Sequence, residues 1–146
     1  MGLMLTSEAG PIRPRAFLYP LGVWAVMAVV AVLNGGFREV VLIPRLGDYP
    51  GHVVSTALLV AAILLVSLAY FSRTPIEYGP AELVGIGVLW TVLTVGFEFV
   101  VGYVEGTPVS VTVGQYNVFA GQVWIAVPIA LLVSPLLFGW VLVRID

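Results

Sequence analysis

Asn34, Arg38, Glu39, His52, Ser55, Thr56, Glu98, Tyr103 and Glu105 are the side chains that could do chemistry in an otherwise apolar chain. Glu98 is central. It lies well inside one end of an apolar run, Gly87-Val-Leu-Trp-Thr-Val-Leu-Thr-Val-Gly-Phe-Glu-Phe-Val-Val-Gly-Tyr-Val-Glu105. At helical spacing Gly87, Thr91, Thr94, Glu98, Gly102 and Glu105 recur three or four apart and share one face. Lipid offers a carboxylate no partner, so this face must meet protein or water.

Depth decides which of these groups can meet. At ~1.5 Å per residue, Glu98 stands ~23 Å from Leu83, Asn34 ~26 Å from Phe17, and Arg38 ~32 Å from Phe17. The Arg38 side chain can snorkel several ångströms either way. His52, Ser55 and Thr56 open the next apolar segment, so all nine residues fall in one outer third. The inner half holds Ser67, Thr91 and little more.

Three chemistries fit this cluster. The first is a structural network, with Arg38 paired to Glu98 and Asn34 bonded to a neighbouring helix. In the second, a transport site, Glu98 takes up and releases a proton, with Arg38 or His52 as its switchable partner. The third is acid–base or metal-assisted chemistry using His52 with Glu39, Glu98 or Glu105. No His-Glu-x-x-His helix is present, so no metal site is expected. No catalytic residue can be named.

The elements that position the cluster follow from composition. The chain has 146 residues, 60% hydrophobic and 10% charged, with mean hydropathy +1.08. A soluble domain carries about 25% charged residues, so a bilayer is the expected solvent. The basic residues are six arginines and the net charge is −2, which leaves no footprint for nucleic acid. With no cysteine and one histidine, disulfides, thiolate sites and multi-histidine centres within one chain are excluded. No cofactor is expected.

Four apolar segments, at about 17–37, 52–71, 83–104 and 122–143, approach the ~20 residues that cross a bilayer as helix. They predict an all-α membrane protein, a single domain built as an antiparallel four-helix bundle. Residues 1–16 form a surface tail. Phe17–Leu33 exceeds a signal-peptide core of about 7–15 residues and reads as an anchored first span. The first helix can run on to Ile43, with Gly35-Gly36 as a soft point and Pro44 as the stop. Val109–Val113 alternates like a strand; an irregular loop with a short helix near 116–119 is the competing reading. Ala57 with Ala61, and Ala126 with Ala130 and Ser134, offer small faces for close helix approach, while Pro128 and Pro135 would kink the fourth span. So short a chain leaves little room for a large cavity.

Four spans put Arg13, Arg15, Arg73 and Arg144 on one side and Arg38 and Arg45 on the other. The positive-inside rule then makes both termini cytoplasmic in a multi-pass cell-membrane protein. Tyr19, Tyr70 and Trp140 fall near the inner interface, and Tyr49, Tyr103 and Trp124 near the outer one.

Leu33-Asn-Gly-Gly-Phe-Arg-Glu39, Pro44-Arg-Leu-Gly47, Gly51-His-Val-Val-Ser-Thr56, Leu89-Trp90, Thr94-Val-Gly-Phe-Glu-Phe99, and Tyr116-Asn117 with Gly121 and Trp124 together resemble a group of small four-span prokaryotic integral membrane proteins with no assigned activity. The resemblance covers most of residues 30–130 and implies the span count, but no activity. Relatives in that group often carry Asp where Gln115 stands and Arg where Gln122 stands, so this chain lacks two charges in that loop. A second comparison fails. Small dual-topology fluoride channels need a Thr-Thr-Phe-Ser break in the third span, whereas this chain has Thr91-Val-Leu-Thr94 and a carboxylate that would repel an anion.

The expected function is an accessory or assembly subunit of a membrane complex, partnered by the bilayer and by itself or other membrane subunits. The alternative is a small oligomeric proton-linked transporter using Glu98, and a membrane enzyme is third. Solvent access discriminates the first two: a packing carboxylate is dry and paired, a transport carboxylate lines a cavity.

Overall fold

The computed structural model describes residues 12–114, 117 and 123–141. Helix α1 spans Pro14–Leu46, α2 Asp48–Arg73, α3 Pro80–Glu105, α4 Val109–Gly114 and α5 Ala126–Val141. There is no strand among the described residues. By length and composition α1, α2 and α3 can each cross a membrane, and α5 is a shorter apolar helix. Their outward surfaces fit an apolar solvent: Val26, Val29, Val32, Leu33 and Val40 of α1 are all exposed.

Helix α1 passes Gly35-Gly36 unbroken and does not stop at Pro44. Proline lacks an N–H and crowds the carbonyl four residues back. The chain absorbs this by widening to a π-turn over Arg38–Leu42, where the Ile43 N–H donates to the Arg38 carbonyl five residues back. The helix ends instead at Gly47, whose φ of 92° suits glycine. Helix α2 begins at the next residue. The corner closes because Gly51 has no Cβ: one placed there would lie 3.0–3.1 Å from Ile43.

Helix α3 opens with Glu82 accepting from the Gly79 N–H at 3.1 Å. It closes on Gly106, in the left-handed region at φ 77°, with the Thr107 N–H donating to the Gly102 carbonyl at 2.7 Å. Val109–Val113, which alternates like a strand in sequence, lies in helix α4. Thr112 is buried, and a Cβ on Gly102 would meet its Oγ1 at 3.0 Å, so packing on α3 overrides the β-branched alternation. Of the competing segment at 116–119, residues 116, 118 and 119 lie outside the described residues.

Helices α3 and α5 run antiparallel in tight register: Leu83 faces Gly139, Gly87 faces Leu132, and Thr91 faces Pro128. Helix α1 runs parallel to α3, tied by Trp90 Nε1 donating to the Pro20 carbonyl (2.8 Å) and Trp24 Nε1 to Thr94 Oγ1 (2.9 Å). Leu83, Ile86, Trp90, Val127 and Leu131 form the driest part of the core. Ala130 and Ser134 are buried as their spacing predicts, but Ala57 and Ala61 are exposed. Pro128 sits in the first turn of α5, where a missing N–H costs nothing, and Pro135 stands inside it.

Candidate functional site

Past the Trp24–Thr94 bond a cleft of about 650 Å³ opens between α1 and α3. This is within the ~300–1,000 Å³ of ligand pockets, and larger than the chain's length led us to expect. Leu59, Ile63, Val127 and Leu131 make its back wall. Arg38, Glu39, Glu98 and Glu105 line it, and Thr107 and Thr112 lie at its far end, the end where Leu46, Asp48 and Glu105 stand. The face foreseen on α3 divides in two. Gly87 and Thr91 pack on α5, while Thr94, Glu98, Gly102 and Glu105 line the cleft.

Glu98 Oε1 accepts a 2.7 Å hydrogen bond from Trp124 Nε1. Arg38 does not form the expected ion pair with it. Among the described residues its ion pair is with neighbouring Glu39, at 3.6 Å, and its guanidinium stands 5.9 Å from the centre of the Trp124 ring. The His52 ring is 5.7 Å from Trp124, tilted by 32°, and its Nε2 is buried without a hydrogen bond among the described residues. Trp124 is therefore the hub that Glu98, Arg38 and His52 share. It is buried, at 8% exposed.

The other candidates divide. Asn34 and Ser55 lock α1 to α2 reciprocally: Ser55 Oγ donates to Asn34 Oδ1 (2.6 Å), and Asn34 Nδ2 to the Ser55 carbonyl (3.1 Å). Asn34 thus bonds a neighbouring helix, as the network reading required. Thr56 Oγ1 donates to the His52 carbonyl within α2 (2.8 Å). Tyr103 is 86% exposed and takes no part in the cluster. No three His, Asp or Glu side chains gather in a metal-holding group among the described residues.

A second polar network stands at the opposite end, where little was expected. Glu82 is 1% exposed and takes three bonds from Arg13, from its N–H (3.0 Å), Nε (2.9 Å) and Nη2 (2.8 Å). Arg13 Nη2 also donates to the Glu77 carbonyl (2.8 Å). The Glu82 hydrogen bonds and charge hold the Arg13 guanidinium pKa above its usual value. Beside it the Tyr70 and Tyr78 hydroxyls share a hydrogen bond. Burial first, then that bond, raises the Tyr78 pKa. The signal was present in the sequence: Gly79-Pro-Ala-Glu82 has the spacing of a helix start with an acid at its third position.

Among the cleft residues, Trp24, Phe97 and Trp124 were not singled out as site residues. Trp24 and Phe97 meet edge to face, centroids 6.2 Å apart. Their types read as membrane filler, and only the pairing of α1 with α3 brings them to Glu98. Gln115 and Gln122 lie outside the described residues. No protein-family model, curated protein or solved structure matches the chain.

Proposed function

We propose that this chain is a small proton-linked membrane transporter whose working site is the α1–α3 cleft. One observation carries the reading: Glu98, held by Trp124, stands on the wall of a cleft of about 650 Å³. A carboxylate so placed can exchange a proton for a ligand group without the protein unpacking. The supporting frame is a four-span bundle in the cell membrane, with α5 continuing the fourth span and both termini cytoplasmic. Arg13, Arg15 and Arg73 at one end against Arg38 and Arg45 at the other favour that orientation. The test is uptake into proteoliposomes under an imposed pH gradient. Parent protein should respond to the gradient and Glu98→Gln should not. Uptake by Glu98→Gln that tracks the gradient like the parent would sink the assignment.

A second reading, an accessory subunit of a membrane complex, is favoured by a shallow apolar groove of about 390 Å³ that Ala57, Ala61 and Ala126 line on α2 and α5. Small residues on an outward groove let a foreign helix approach closely. Native mass spectrometry of gently extracted protein separates the two: foreign subunits at fixed stoichiometry favour the accessory role, and the chain alone or as a homo-oligomer favours the transporter.

A further inference from the structure

The chemistry of the cleft names the class of molecule that fits it. Its charged lining is three carboxylates, Glu39, Glu98 and Glu105, against one guanidinium, Arg38, which already lies 3.6 Å from Glu39. The sequence after Glu105 does not redress the balance, because no residue from 106 to 143 is charged. An anion entering the cleft would meet net negative charge in a poorly solvated site, where like charges repel strongly.

The uncharged part of the lining is aromatic close to Glu98. Trp24 and Phe97 stand one helical turn or less from it toward the closed end, and Trp124 bonds it directly. Aromatic faces attract cations through the ring quadrupole, most strongly where water is excluded, and quaternary ammonium groups are their best-known ligands. Arg38 over Trp124 already shows that ring accepting a cation. The apolar back wall of Leu59, Ile63 and Val127 would repel a small hydrated ion and suit an organic body. Along α3 the cleft runs from Thr94 to Glu105, a length of ~16 Å at 1.5 Å per residue. That length takes a compact molecule rather than a full phospholipid.

We infer that the cleft takes a lipophilic organic cation, an amine or quaternary onium of drug-like size, with its charge at the Glu98 carboxylate and its apolar body among Trp24, Phe97 and Trp124. This rests on the reading that the cleft is the working site. The charge sets the class, the aromatic lining holds the body, and Glu98 stands among the aromatic rings.

Binding to purified protein in lipid nanodiscs, with three probes of matched size and shape, tests it. Tetraphenylphosphonium supplies the cation, tetraphenylborate the anion, and tetraphenylmethane-like neutral analogues the control. The cation should saturate at one site per chain and quench tryptophan fluorescence. Glu98→Gln, checked for an unchanged melting temperature, should weaken it roughly tenfold or more, the scale of a lost desolvated charge pair. Trp24→Leu should weaken it less and reduce the quenching. If Glu98→Gln loses stability, Glu98→Asp serves, since a shorter carboxylate should retain most cation affinity where a structural role would not rescue it. Saturable anion or neutral binding without cation binding would overturn the charge class while leaving the cleft as the site. Absence of saturable binding by all three probes would overturn both this inference and the reading beneath it.

Discussion

Gly87 offers a sharp test of the packing that shapes the cleft. A Cβ added there would run into the Leu132 carbonyl oxygen and stand 3.0 and 3.1 Å from the Leu132 carbonyl carbon and Cα. These are backbone atoms of α5 and cannot rotate away. Nor can α5 slide aside freely, because Leu83 against Gly139 on one side and Thr91 against Pro128 on the other fix its register. Gly87→Ala must therefore push the two helices apart along the line where Ile86, Trp90 and Leu131 are fully buried. Overpacking of this kind costs about 1–3 kcal/mol. Against it stands the helix preference for Ala over Gly, about 0.8–1 kcal/mol in the other direction. Gly96 isolates that second effect: it lies in the same helix, and nothing stands within 4 Å of a Cβ there. We predict that Gly96→Ala is neutral or mildly stabilising and that Gly87→Ala is destabilised relative to it by about 1–3 kcal/mol, the overpacking range. Reversible SDS unfolding in mixed micelles, followed by tryptophan fluorescence, measures both. Equal midpoints for the two variants would refute the close approach of α3 and α5.

Two further outcomes follow from the polar contacts. Asn34→Ala and Ser55→Ala should each destabilise, and their double-mutant cycle should return a coupling of about 0.6 kcal/mol, the mean for interhelical hydrogen bonds in lipid; strictly additive losses would show that the α1–α2 lock is not made. Tyr78 gives a pH dependence. Its folded pKa is raised above the ordinary 10.0, so the folded state holds that proton more tightly than the unfolded chain. The stability it contributes is full below pH 10 and declines as pH rises beyond it. Unfolding midpoints across that window should fall in the parent and fall less in Tyr78→Phe; parallel slopes would count against the buried hydroxyl.

Much of this architecture was legible because apolar periodicity and length are local properties. The helices that hold Asn34, Ser55 and Glu98 follow from runs of valine, leucine and isoleucine, and the stripe from Gly87 to Glu105 marked the side of α3 that faces protein. Other features depend on which helices pair. Glu98 and Arg38 lie at compatible depth, so an ion pair was a sound expectation. Trp124 comes between them, and its position depends on how the segment after α4 returns to the bundle. Pro44 reads as a stop because its missing N–H is visible in the sequence and the widened turn that accommodates it is not. The Arg13–Glu82 network was missed for a different reason: a charged residue in a proline-rich tail looks solvated until a buried carboxylate is found beneath it.

That network also sets an order of assembly. Glu82 lies 69 residues after Arg13, so the seat for Arg13 does not exist until α2, the segment 74–79 and the first turn of α3 have been synthesised. Arg13 is therefore without this seat while α1 and α2 form, and it docks only when the first turn of α3 arrives. Docking of Arg13 is thus a late event, and it reports that the first three helices have come together.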